Sequence, residues 1–240
     1  MKKHIPNFIT SLNILSGSIG IGLIFKFPDH PEISAYMIGF AVIFDFLDGM
    51  SARLLNVKSE MGKELDSLAD VVSFGVLPGL ILFCLLNRVY SEADGLYTYI
   101  PFVAFLIPVF SALRLAKFNI DTRQTNSFIG LPTPANALFI GSIPIIIAGG
   151  GEQIPFIFNL FSNPGFLLVI IFLMSYLLVS PIPLFSIKFK DMSWASNSFQ
   201  YILIILSVIL ILIFAYTAIP LILIIYIFLS IINNYRSQTK

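Results

Sequence analysis

Asp45-Phe46-Leu47-Asp48-Gly49-Met50-Ser51-Ala52-Arg53, then Gly62-Lys63-Glu64-Leu65-Asp66-Ser67-Leu68-Ala69-Asp70, sit inside a chain that is otherwise close to hydrocarbon in character. An ionised carboxylate in or near lipid costs several kcal/mol unless it is paired, hydrated or bound to a metal. Asp45 and Asp48 stand at i,i+3 and Asp66 and Asp70 at i,i+4, so each pair shares one face of a helix. Two such pairs on neighbouring helices make an all-oxygen cluster, the ligand set that hard divalent cations prefer. The stretch reads as a metal site held between two membrane helices.

The surrounding sequence agrees. Of 240 residues, 57% are hydrophobic and 11% charged, with a mean hydropathy of +0.92. That excludes a soluble domain. The net charge is +1, and no basic run suggests a nucleic-acid partner. A single cysteine, Cys84, rules out a disulfide within the chain. Met1-Lys2-Lys3-His4 resembles the basic start of a signal peptide. The apolar stretch behind it carries Asn7, Thr10, Asn13 and Ser16 and lacks a cleavage site, so it reads as a retained first helix.

Apolar runs predict about eight transmembrane helices near 7–27, 33–55, 66–88, 97–119, 133–150, 164–186, 199–215 and 218–235, in an all-α polytopic membrane protein with one domain over 1–240. The last two come from one run, broken at Ala218-Ile219-Pro220; a single tilted helix is the alternative. With the N-terminus inside, one face collects Lys2, Lys3, Arg53, Lys58, Lys63, Arg114, Lys117, Arg123, Lys188, Lys190, Arg236 and Lys240. The other keeps only Lys26 and Arg88. This bias puts both termini and the aspartates on the cytoplasmic side of a cell (inner) membrane. The two aspartate pairs then lie at a similar depth, roughly 5–15 Å below the surface at about 1.5 Å per residue.

Two divalent ions in such a cluster could clamp a diphosphate and stabilise a departing phosphate. Gly49 and Ala52 leave a strip poor in side chains, open to a nucleotide or to another helix. Arg53 offers a planar fork for phosphate, or anchors a helix end. Gly62 is expected in the turn before the third helix, where backbone N–H groups favour an anion, with the Ser59 hydroxyl beside it. A carboxylate not fully engaged by metal could take a proton from an attacking alcohol. Asp70, last of the series, is the candidate. On the aspartates alone, an ion-coupled transporter is the rival reading.

The eight specified positions Asp45, Asp48, Gly49, Ala52, Arg53, Gly62, Asp66 and Asp70 match the signature of the CDP-alcohol phosphotransferase family. Leu113-Arg114-Leu115-Ala116-Lys117-Phe118-Asn119 and Phe128-Ile129-Gly130-Leu131-Pro132-Thr133-Pro134-Ala135-Asn136 resemble its bacterial membrane-type phosphatidylserine synthases. So do Asn7-x-x-Thr10-x-x-Asn13 and the residues around Asp66 and Asp70. The resemblance implies a six-helix core, a homodimer, and two Mg or Mn ions on Asp45, Asp48, Asp66 and Asp70, with Asp70 as proton acceptor. It implies transfer of a phosphatidyl group from CDP-diacylglycerol to L-serine with release of CMP. Gly49, Ala52, Arg53, Ser59, Gly62, Thr10 and Asn13 are then the expected CDP-diacylglycerol contacts. Other members of the family use glycerol 3-phosphate or an inositol phosphate as acceptor. Serine is a zwitterion, so its site needs a cation for the carboxylate and acceptors for the ammonium. Arg114 and Lys117 could supply the first and Asn119 or Thr133 further hydrogen bonds, unless the two cations serve only as topology anchors.

Overall fold

A computed structural model describes residues 4–57, 59–120, 127–150, 154–185 and 193–238. Its helices are α1 (His4–Lys26), α2 (Pro31–Leu54), α3 (Glu60–Asp70), α4 (Leu77–Tyr90), α5 (Leu106–Ile120), α6 (Thr133–Ala148), α7 (Pro155–Ser162), α8 (Pro164–Val179), α9 (Trp194–Phe214) and α10 (Ala218–Gln238). The all-α expectation holds. The one addition among the described residues is an antiparallel ribbon of β1 (Ser127–Ile129) and β2 (Pro183–Phe185), paired Ser127 to Phe185 and Ile129 to Pro183. By length and apolarity five helical stretches can cross a membrane, and α7 with α8, bent by 81°, makes a sixth. All eight expected segments are helical; α6 is short of a full span at 16 residues, and α9 and α10 run on as one helical stretch of 39. The chain nevertheless reverses within that stretch. Ala215 takes a positive φ of 45° in the turn, and α9 packs along α10. Of the cations used to orient the chain, Lys2, Lys3, Lys58, Arg123, Lys188, Lys190 and Lys240 lie outside the described residues, as does the side chain of Arg236.

The first helix turns a small and polar face inward, as helix contacts in a membrane favour, while large apolar side chains both fill the centre of the bundle and cover its outside. In α1 the buried residues Pro6, Thr10, Asn13, Gly17, Gly20 and Ile24 recur every three or four positions and form one stripe. That stripe packs along α2 and reaches α3. Phe8, Phe25, Phe46 and Leu212 are well exposed, whereas Phe74, Leu77, Ile81, Ile107, Ile140 and Ile171 fill the centre. At Gly17 a Cβ would run into the Cα and Oγ of Ser73, so the glycine is a packing requirement.

Four features differ from the sequence expectation. The third helix begins at Glu60, not near 66, because Ser59 caps it: its Oγ accepts the Gly62 N–H at 2.9 Å. Directly after Asp70 the helix widens into a π turn, Val71–Val76, before Pro78, which has no N–H to continue an α ladder. The helix expected over 164–186 stops at Val179, since Pro181 and Pro183 cannot extend it, and the chain enters β2 instead. The start of the 97–119 segment also winds more tightly than expected, as a 3-10 helix over Gly95–Phe105 that contains Pro101.

Two ties fix which helix ends share a face. Lys63 Nζ donates to the Asn119 carbonyl at 3.0 Å, joining the start of α3 to the end of α5. Arg88 Nη2 donates to the Pro28 carbonyl at 3.0 Å, joining the end of α4 to the α1–α2 turn at the opposite end of the bundle.

Candidate active site

The aspartates converge as their spacing requires. Carboxylate oxygens of Asp45, Asp48 and Asp66 lie within 4.8 Å of one another, Asp48 buried and the other two half-buried. At such separations, with an effective dielectric of about 20, each ionised pair repels by roughly 3 kcal/mol. Three pairs would cost a large share of a domain's net stability. Bound counter-charge or protonation relieves that repulsion in the folded protein. Asp48 Oδ2 and Asp66 Oδ1 are buried without a hydrogen-bond partner. An all-carboxylate set with unengaged oxygens fits a hard divalent cation and poorly fits a soft one.

Asp70 stands apart from this triple and is saturated differently. Asn13 Nδ2 donates to its Oδ1 at 3.4 Å and the Thr133 hydroxyl to its Oδ2 at 3.4 Å. Arg114 Nη1 donates to Thr133 Oγ1 at 3.3 Å, so a buried cation, a hydroxyl and a buried carboxylate form a line. Arg114 also lies over the Phe118 ring at 5.8 Å, and its Nε is buried without a partner. Asn13 is itself fixed by the neighbouring π turn, where Ser73 Oγ donates to its carbonyl at 2.9 Å.

Beside the triple opens a cavity of about 370 Å³ lined by Asn7, Thr10, Asp48, Gly49, Ala52, Ser59, Gly62, Lys63 and Asp66, among others. Five of the seven expected CDP-diacylglycerol contacts line it. Arg53 does not: its side chain is exposed and folds back, Nε donating to the Gly49 carbonyl at 2.9 Å. Asn13 is turned instead toward Asp70. Gly62 proves to lie inside the first turn of α3, not before it, and the Ser59 oxygen is already engaged in capping that turn. Gly49 differs from Gly17. A Cβ there would meet only Arg53 Nη2, at 3.8 Å, so helix packing does not call for glycine at that position.

The four residues expected on the acceptor side divide. Arg114 and Thr133 meet at Asp70. Lys117 is exposed. Asn119 is spent on α3, its Nδ2 donating to Ser67 Oγ at 2.9 Å. Asn136 entered the sequence reading only within the stretch that resembles the phosphatidylserine synthases, and Tyr226 did not enter it. Asn136 is fully buried one turn beyond Thr133, with both amide atoms unpartnered. Tyr226 on α10 is buried and donates to the Phe185 carbonyl at 3.0 Å. A buried asparagine in an apolar helix was a readable signal; Tyr226, one ring in a uniformly apolar run, was not.

A helical membrane bundle here gathers carboxylates beside a cavity, and similarity to known proteins gives its class. The sequence profile of the CDP-alcohol phosphatidyltransferase family matches residues 3–232, and the chain belongs to that family. Its relatives include three proteins named CDP-diacylglycerol–serine O-phosphatidyltransferase. That of Bacillus subtilis is 38% identical over 150 residues, 61% of this chain and 76% of the relative. That of Helicobacter pylori is 32% identical over 215 residues, 85% of this chain and 80% of the relative. That of Saccharomyces cerevisiae is 35% identical over 170 residues, 64% and 58% respectively.

Proposed function

We propose that this membrane enzyme is a CDP-diacylglycerol–serine O-phosphatidyltransferase, forming phosphatidylserine and CMP. The observation that carries the reading is the division of labour among the aspartates: three crowd together beside the cavity, and the fourth is bonded toward Arg114 and Thr133. The names of the relatives support serine as the acceptor.

Asp45, Asp48 and Asp66, with Asp70, would hold two Mg or Mn ions. When bound, these supply charge neutralisation for the diphosphate and the departing CMP. The chain's own residues do the rest. The cavity along Thr10, Gly49, Ala52 and Gly62 takes the nucleotide end of CDP-diacylglycerol. Arg114 holds the serine carboxylate through its unpartnered Nε, and Thr133 orients the bound amino acid. Asp70 accepts the serine hydroxyl proton. The serine oxygen then forms a bond to the lipid-side phosphorus, the bond from that phosphorus to CMP breaks, and CMP leaves with the electron pair. Burial keeps water from competing as the attacking group.

In this reading the site faces the cytoplasm from the cytoplasmic membrane, supported by the charge bias of the loops, and the homodimer rests on the family resemblance alone. Lipid product analysis tests the proposal: purified protein, CDP-diacylglycerol, divalent metal and a panel of alcohols. Phosphatidylserine with stoichiometric CMP is expected. Transfer only to glycerol 3-phosphate or an inositol phosphate would replace the acceptor. Solute accumulation in sealed vesicles without CMP would replace the enzyme by a transporter.

A further inference from the structure

We infer that Tyr226 on α10 is a positioning residue for the acceptor side of the reaction: it holds the β1–β2 ribbon, and the ribbon holds the Gly130–Thr133 segment whose hydroxyl meets Asp70. The inference rests on the assignment of Arg114 and Thr133 to the acceptor. It gives a task to the C-terminal hairpin, whose sequence offers only apolarity.

The chain of contacts is continuous. Tyr226 Oη donates to the Phe185 carbonyl at 3.0 Å, and its ring meets the Phe185 ring edge-on at 5.3 Å. From α9, Phe199 meets the Phe185 ring at 6.3 Å, so both arms of the hairpin grip the last residue of β2. β2 pairs with β1, and past the ribbon the segment is held by one further bond to the β2 side and one to the end of α8. The Gly130 N–H donates to the Ile182 carbonyl at 3.0 Å, and the Leu131 N–H to the Leu177 carbonyl at 2.8 Å. Gly130 has a φ of +80°, and a Cβ there would run into the Leu178 carbonyl. Only glycine allows that approach. Pro132 follows with φ −58°, a ring-fixed link that passes the position of Leu131 on to Thr133 with little slack. Thr133 then stands between Arg114 and Asp70.

A buried tyrosine hydroxyl needs a partner wherever it sits. Plain packing, however, would not single out one substrate. The separation is therefore read kinetically in the full-length protein in detergent or vesicles. Tyr226→Phe removes one hydroxyl from the far end of the chain of contacts. It is expected to raise the KM for serine by roughly 3- to 10-fold, the range for one neutral hydrogen bond, with the KM for CDP-diacylglycerol and the melting temperature nearly unchanged. Gly130→Ala breaks the same path nearer Thr133 and is expected to give a larger defect of the same selectivity. Unchanged serine dependence in Tyr226→Phe would overturn the inference. So would equal changes in both KM values, which would make the hairpin a general support. Product analysis of the unmodified protein is done first. If serine yields no lipid, the acceptor assignment fails, and the same split is read with whichever alcohol is transferred.

Discussion

The Thr133 hydroxyl meets Asp70 Oδ2 at 3.4 Å across 63 residues of sequence. With Asn13 on the other oxygen, both carboxylate oxygens of Asp70 have neutral donors, whereas Asp48 and Asp66 each keep a buried oxygen without a hydrogen bond. Neutral donors orient a carboxylate and leave it able to receive a proton. Unengaged oxygens crowded together ask for cations. One motif thus holds carboxylates in two environments, separated by a single helical turn between Asp66 and Asp70, and the proposed function draws on both.

The first prediction follows from the crowding. Asp48→Asn and Asp66→Asn each keep the side chain's size while removing a charge that divalent ions need. Each variant is expected to lose CMP release while remaining folded in detergent. Its melting temperature should rise less than the wild type's on adding Mg or Mn. Wild-type turnover in either variant would remove the cluster from the reaction.

Asp70→Asn should separate binding from transfer. Binding of CDP-diacylglycerol, followed by equilibrium titration, is expected to survive in large part, and phosphatidyl transfer to be lost, because an amide cannot take the acceptor's proton. Transfer at the normal rate by this variant would make another group the base.

Gly49 and Gly17 give a paired prediction. The space at Gly49 is open, so Gly49→Leu is expected to raise the KM for CDP-diacylglycerol strongly with little change in melting temperature. Gly17 is closed by Ser73, so Gly17→Leu is expected to disrupt the packing of α1 on the π turn and lower the melting temperature. Equal thermal losses would mean that Gly49 is a packing residue after all.

The sequence carried the aspartates, their shared faces and the helical segments, because periodicity and charge cost are local properties. Boundaries were legible only in part. Ser59 with Gly62 marks a cap, and Pro181 with Pro183 a helix end, yet the apolar run drew the third-from-last segment, 164–186, through those prolines. Pro78 was visible, but a proline can bend, end or widen a helix, and the π turn that brings Ser73 onto Asn13 depends on tertiary packing. Tyr226 was beyond reach, since its partner is 41 residues away and bonds through a backbone carbonyl, which every residue possesses.

The last prediction concerns which cation serves the acceptor. Spacing makes Arg114 and Lys117 equal, for both lie in the last turns of α5. The structure sets them apart: Arg114 is buried against Thr133 with Nε unpartnered, and Lys117 is exposed. Losing a charge-assisted hydrogen bond costs about 1.5–3 kcal/mol, or roughly 10- to 150-fold in affinity. Arg114→Ala is therefore expected to raise the KM for serine within that range, and Lys117→Ala to leave it near the wild-type value. Because Asp70 loses a nearby cation in Arg114→Ala, kcat is expected to fall as well, and serine methyl ester separates the two effects. The ester lacks the carboxylate charge, so it should be a poor substrate of the unmodified enzyme. Its KM should rise little further in Arg114→Ala, while its kcat falls as serine's does. A full rise in KM with the ester would show that Arg114 shapes the site without touching the carboxylate. Wild-type serine dependence in Arg114→Ala would move the carboxylate's partner elsewhere, with the unpartnered amide of Asn136 the next group to substitute.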